Sequence, residues 1–221
     1  MNPKYIVFDG MDGSGKGTQI ELLRKKLEGV VPAVFTVEPG GTPFADEIRK
    51  VVRDNPLAGK STPLNNFLLF WAAREELQEN LVTPALWSGK HVFSDRGDSS
   101  TFAFQLFGEE REELFGVFSL MRKLVFDANR GRRQPDFYIV FDLPADVARE
   151  RVMQDKSRKK THFDVRDIGY YERVRNGFLR FAEHSPVRFV DATRTPDEIH
   201  RSVCLLLSEK SIVPELVSAT D

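Results

Sequence analysis

Cysteine is almost missing from this chain: Cys204 is the only one in 221 residues. A lone thiol builds no internal disulfide framework, so stability has to come from a packed core, and a reducing compartment is expected. No apolar run approaches the length that crosses a bilayer, and the N-terminus reads as a strand almost at once rather than as a charged segment followed by an apolar one. These absences predict a cytoplasmic protein without membrane contact. Charge of one sign is also missing. The 32 Lys and Arg against 33 Asp and Glu leave a formal net charge of -1, so no global field draws the chain toward nucleic acid. The four histidines are scattered, with no cysteine cluster beside them, which leaves no case for zinc. Small molecules and other proteins remain as expected partners.

What the sequence does have begins at residue 5. Residues 5 to 19 read YIVFDGMDGSGKGTQ, a short apolar run followed by Gly10, Gly13, Gly15 and Lys16 in phosphate-loop spacing. Small residues there let successive backbone N–H groups turn toward a polyphosphate, and the next helix aims its positive end at the same anion. A glycine-rich turn that binds nothing would not need both flanks. Here Tyr5 to Phe8 supply a buried strand, and Ile20, Leu22, Leu23 and Leu27 an apolar helix face. One position is unusual. Most such loops follow the lysine with a Ser or Thr that touches magnesium, whereas this chain has Gly17 and brings its hydroxyl one place later, at Thr18.

Four further apolar segments read as strands: 33–37, 91–94, 137–141 and 187–190. They are continuous rather than alternating, the pattern of strands buried on both faces. Helical patterns lie between and after them, over 43–53, 64–87, 99–130, 144–157, 167–183 and 196–209. The alternation predicts an α/β fold, a five-stranded parallel sheet with helices on both faces. A single domain over 1–221 is expected, with a small lid at about 151–166 and a loosely held tail from about 210. Ligands of such sheets lie at the carboxyl ends of the strands, which here carry Asp9, Glu38, Asp95, Asp142 and Asp191.

Several constellations fall at that edge. Glu38-Pro39-Gly40-Gly41-Thr42-Pro43 is a rigid turn that can bring backbone close to a ligand. Phe70 and Arg74 stand one helical turn apart, so an aromatic plane and a guanidinium share a face; Phe70 also fits ordinary core packing. Asp95-Arg96 ends the third strand, where a phosphate-loop protein places a magnesium-organising carboxylate, and Arg96 can grip a phosphate bidentately. Asp98 and Ser99 after it can also be read as a solvated turn capping the next helix. Arg151, Lys156, Arg158, Lys159 and Lys160 form either a solvated basic face or a lid that brings a cation to the transferring group.

Taken together these residues resemble the thymidylate kinases, phosphate-loop enzymes that phosphorylate dTMP. The resemblance covers nearly the whole chain. It rests on Asp9 to Gln19, on Glu38 to Pro43, on Phe70, Ala72 and Arg74, on Asp95 and Arg96 with Ser100, Thr101, Phe104 and Gln105, and on Pro135-Asp136. It implies a P-loop kinase fold and a homodimer. It also implies ATP held by Gly10, Asp12, Gly13, Ser14, Gly15, Lys16, Gly17 and Thr18. For dTMP it implies Asp9, Glu38, Pro39, Phe70, Arg74, Arg96, Ser100, Thr101, Phe104 and Gln105, with Phe70 on the thymine ring and Arg74 and Thr101 at its edge. Magnesium is implied on Asp95, through water, with Asp9 nearby. The catalytic set would be Lys16, Arg96, Asp9, Asp95 and a lid cation, Arg158 ahead of Arg151 and Lys156. The chain departs from the family's pattern at Gly17, at Gly97 where an aromatic or histidine is common, and at Phe104 where a tyrosine is usual. Gly97 is expected to loosen the acceptor pocket, and with Phe104 it leaves another nucleoside monophosphate open as acceptor. A nucleotide-binding switch without transfer is the reading from a different class. The apolar stretch with Phe107, Phe115, Phe118 and Leu124 reads either as a dimer face or as core.

Overall fold

The computed structural model describes residues 2–156, 160–210 and 212. Its frame is one five-stranded sheet, every strand parallel, in the order β2-β3-β1-β4-β5. The strands are β1 (Tyr5–Gly10), β2 (Ala33–Val37), β3 (His91–Asp95), β4 (Phe137–Asp142) and β5 (Val187–Asp191). β1 lies at the centre and is buried along its whole length, which explains its continuous apolar run. Phe8 there packs on Phe93 and Phe141, at ring separations of 6.2 and 5.9 Å. The expectation that all strands are buried on both faces fails at the edges. β2 is half-buried throughout and β5 is largely exposed, because each has a neighbouring strand on one side only.

Each helix has a local cause. α1 (Lys16–Leu27) follows the glycine loop, with Gly15 in the left-handed region at φ 81° as its N-cap. α2 (Pro43–Arg49) starts on Thr42, whose hydroxyl accepts from Ala45 N at 3.3 Å, and runs on through a wider π turn, Lys50–Asp54. α3 (Pro63–Leu77) repeats the device with Thr62 and Pro63, then passes through a π turn, Gln78–Val82, into α4 (Thr83–Trp87). α5 (Asp98–Ser100) opens directly into a π-helical stretch, Thr101–Gly108, and α6 (Phe115–Val125) comes next. α7 (Ala145–Gln154), α8 (Ile168–Phe181) and α9 (Pro196–Glu209) complete the layers, α9 behind a capping box of Thr195 and Glu198.

One predicted element is therefore corrected. The helical pattern over 99–130 is two helical runs, broken where Glu110 takes a left-handed φ of 54° and the chain reverses before α6. The break follows Gly108 and falls within the charged run 109–113, where the left-handed residue is Glu110 rather than a glycine. The face read from Phe107, Phe115, Phe118 and Leu124 divides accordingly: Phe118 is core, whereas Phe115 and Leu124 are exposed.

Candidate active site

The carboxyl ends of β1, β2 and β3 open into one cleft of about 340 Å³, and the segment ahead of α8 reaches it through Thr161 and Phe163. The other two strand ends do different work. Asp142 holds Arg175 through two contacts of 2.8 Å, and Asp191 caps its own turn through Thr193.

The phosphate loop forms one wall. Gly10 and Gly13 have positive φ, and a Cβ would stand 2.7 Å from Phe141 O at the first and 2.8 Å from Ala148 O at the second, so the loop depends on their lacking one. Asp12, Gly13, Gly15, Lys16 and Gly17 line the cleft. Lys16 is buried, and burial, reinforced by Arg96, lowers its pKa. Ser14 is buried behind the loop with its hydroxyl unpartnered among the described residues, while Thr18 is exposed and does not line the cleft.

Arg96 ties this wall to the next. Its backbone is held at a φ of 74° by its own N–H donating to Phe8 O at 2.8 Å, a conformation rare for a non-glycine residue. Nη1 donates to Asp9 Oδ1, Gly10 O and Ser100 Oγ at 3.2, 3.1 and 2.8 Å; Nη2 lies 3.1 Å from Asp12, and the guanidinium sits 5.0 Å from the Phe104 ring centre. Burial opposes its charge, but the carboxylates of Asp12, Asp9 and Asp95 outweigh burial and hold its pKa above the ordinary value. Asp9 lies beneath the cleft, fully buried, and accepts from Ser99, Ser100 and the Gly10 N–H as well as from Arg96. Burial raises its pKa and these partners pull against the rise.

The far wall would face a flat ligand. Arg74 is 2% exposed; its Nε meets Glu38 Oε2 at 2.6 Å and its Nη2 donates to Thr101 Oγ1 at 3.0 Å, leaving Nη1 buried with no partner among the described residues. Glu38 also accepts from the Tyr5 hydroxyl at 3.2 Å. Burial raises the Glu38 pKa, and Arg74 works against that. Phe70 is half-buried and lines the cleft with Pro39, Phe104 and Gln105, its ring 6.4 Å from that of Phe163.

Among the cleft residues the sequence reading missed are two arginines, Arg49 and Arg53. They stand one turn apart at the end of α2, and Arg49 donates to Pro39 O at 2.6 Å. Burial, then Arg53 beside it, depresses the Arg49 pKa. Two guanidiniums four residues apart, just after a strand-end glycine turn, were the available signal. Asp98 and Ser99, read as a solvated cap, are both fully buried. Gly97 lines the cleft with little exposure, and a Cβ there would stand 2.9 Å from Val7 Cγ1, so a side chain at this position would have to displace Val7. Arg151 donates to Gly13 O and Ala192 O at 3.3 and 3.2 Å and does not line the cleft; Lys156 is exposed, and Arg158 falls outside the described residues.

A metal fits this donor set at one place better than at another. Asp95 Oδ1 is buried, without a hydrogen bond among the described residues, on the same cleft as Lys16 and Gly17, whereas both Asp9 oxygens are already engaged. A Cβ on Gly17 would meet nothing within 4 Å, so the loop leaves open space there.

The family model described as thymidylate kinase matches residues 8–203. A thymidylate kinase of Pelotomaculum thermopropionicum is 37% identical over 206 residues, covering 92% of each chain. One of Cupriavidus metallidurans is 35% identical over 90% of this chain and 94% of its own. Among solved structures, thymidylate kinase from Ehrlichia chaffeensis superposes with a TM-score of 0.72 at 27% identity, over 94% of this chain and 99% of that one.

Proposed function

The chain belongs to the thymidylate kinase family, and from that premise we propose that its cleft transfers the γ-phosphoryl group of ATP to dTMP, giving ADP and dTDP. The observation that carries this reading is Arg96, which reaches Asp12 of the phosphate loop on one side and packs on Phe104 of the acceptor wall on the other. One side chain thus stands between donor and acceptor halves of a single cleft.

Lys16 and the loop N–H groups hold the ATP phosphates, with α1 presenting its N-terminus to them. The acceptor is the phosphate of dTMP, already an oxyanion at neutral pH, so no general base is required. An acceptor oxygen forms the new P–O bond while the bond between the γ-phosphorus and the β-phosphate oxygen breaks, and the electron pair leaves with ADP. Arg96, Arg49 and Arg53 neutralise and align the acceptor phosphate. Phe70 stacks on the base, and the free Nη1 of Arg74 donates to its edge, with Thr101 and Gln105 beside it. Asp95 would hold magnesium, which would supply charge screening for the transferring phosphates. Asp9 serves as the fixed support of Arg96 and Ser100 rather than as a ligand. The segment around 151–166 acts as a lid, and a homodimer in the cytoplasm completes the reading.

Initial rates with a panel of nucleoside monophosphates, ATP and magnesium test the acceptor. dTMP is expected to lead the panel in kcat/KM. A higher value for a purine monophosphate, or no turnover with any, would overturn the assignment.

A further inference from the structure

Where α1 packs on α9, a line of polar side chains runs from the first turn of one helix into the other. Gln19 of α1 is 1% exposed; its Nε2 donates to Pro196 O at 2.9 Å, and its Oε1 lies 3.2 Å from His200 Nδ1. His200 Nε2 in turn lies 3.6 Å from Cys204 Sγ. Gln19, His200 and Cys204 do not line the cleft.

The direction of each contact can be assigned. The Pro196 carbonyl can only accept, so the amide nitrogen of Gln19 must face it and the amide oxygen must face His200. Nδ1 therefore carries a proton. Burial, reinforced by Lys26, lowers the His200 pKa, so at neutral pH the ring is uncharged and Nε2 remains an acceptor for the Cys204 thiol. Donor and acceptor then match at each contact.

This line of bonds bears on the phosphate loop through the segment it holds. Pro196 opens α9 directly after the turn that leaves β5, and Arg151 Nη1 ties the same turn to the loop, donating to Ala192 O at 3.2 Å and Gly13 O at 3.3 Å. Ala192 is buried and its N–H donates to Asp142 O at 2.9 Å, so the turn is anchored to the sheet. Gly13 and the first turn of α1 are thus both referenced to one fixed segment, by Arg151 on one side and Gln19 on the other. An amide held at one atom alone can pivot; the His200 N–H holds the second atom and leaves it one orientation.

We propose that His200 is a positioning residue for the phosphate donor: through Nδ1 it locks the Gln19 amide that fixes the first turn of α1, and with it Lys16 and the loop, against the start of α9. The proposal rests on the reading of this loop as the ATP site, and its effect should appear in donor binding rather than in acceptor binding.

The test uses the full-length enzyme, with KM for ATP and for dTMP measured separately and ADP affinity measured by calorimetry, in wild type, His200→Ala, His200→Asn and His200→Gln. Asn sets its amide nitrogen where Nδ1 stands, whereas Gln sets its own where Nε2 stands. His200→Ala is expected to raise the ATP KM and the ADP Kd about fivefold, the scale of one hydrogen bond, while the dTMP KM stays within about twofold. His200→Asn should stay near wild type and His200→Gln should follow His200→Ala. The proposal is overturned by an unchanged ATP KM in His200→Ala, by both substrate constants rising together, or by a Gln variant that matches or betters the Asn variant. Should His200→Ala fail to fold, Gln19→Glu removes the donor to Pro196 O and keeps the acceptor for Nδ1, and a wild-type ATP KM for that variant is equally fatal. A wild type that binds no ADP and does not use ATP sinks the donor reading and this proposal with it. A normal wild type beside an indifferent His200→Ala sinks the proposal alone.

Discussion

Asp95 and Asp9 stand on neighbouring strands, and their surroundings separate their roles. Asp9 is surrounded by a guanidinium, two hydroxyls and a backbone N–H, so both of its oxygens are engaged; Asp95 keeps a buried oxygen without a hydrogen bond among the described residues. Such an oxygen is costly unless something positive meets it in the working state. Asp95→Asn preserves shape and removes the charge. It should therefore raise the magnesium concentration needed for half-maximal rate by on the order of tenfold or more, the range seen when groups that orient or hold a metal are altered. A magnesium titration of the purified variant that overlays that of wild type would move the metal away from Asp95. The neighbouring Gly97 is constrained from two sides. Its departure from the family pattern reads as a looser pocket, and Gly97 does line the cleft; what the sequence did not disclose is that Val7 of β1 stands where a Cβ would go, so core packing also bears on the position.

At the scale of elements, the cleft wall that carries Thr101, Phe104 and Gln105 depends on how closely α8 approaches the helical run Thr101–Gly108. A Cβ on Gly177 would stand 2.7 Å from Ala103 Cα and 3.0 Å from Phe107 Cβ, and one on Gly108 would stand 2.8 Å from Val174 Cγ2. These are backbone and packed side-chain contacts with no flexible end to give way. Gly177→Ala must push apart the element carrying Thr101, Phe104 and Gln105, at a cost of about 1–3 kcal/mol for overpacking. For a chain of this size that lowers Tm by roughly 2–4 °C per kcal/mol. Thermal unfolding should show the drop and initial rates a raised dTMP KM; a Tm equal to that of wild type would mean the helices separate freely. The same element marks the limit of what the sequence discloses. Strand positions, the glycine loop and the Phe70, Arg74 and Asp95-Arg96 constellations are local patterns, and they were legible. The break at Glu110 was not, because its signal is a backbone conformation adopted by a charged residue. Glu38 as the partner of Arg74, and Asp98 as a buried ion rather than a cap, were invisible for another reason: their partners lie 36 and 24 positions away in the chain.

For the whole molecule, part of the apolar surface left uncovered lies on two helices in contact with each other, α3 and α6. Leu64 and Leu68 on α3 and Leu120 and Leu124 on α6 are 40%, 48%, 54% and 57% exposed. The spacings within each helix, four residues apart, place each pair on one face. Scattered exposed leucines need no explanation, but paired stripes on adjacent helices make a patch, and a two-fold axis through it would bury the same four residues from both copies. A stable dimer needs about 800 Å² from each partner, which a two-helix face can supply. Nothing on this face lines the cleft, so assembly and catalysis can be separated by mutation. Leu120→Lys places a charge at the centre of the patch, where two copies would bring like charges together. Sedimentation velocity should show wild type as a dimer and the variant as a monomer, with dTMP turnover retained. A wild type that sediments as a monomer, or a variant that stays dimeric, would show that these helices face solvent.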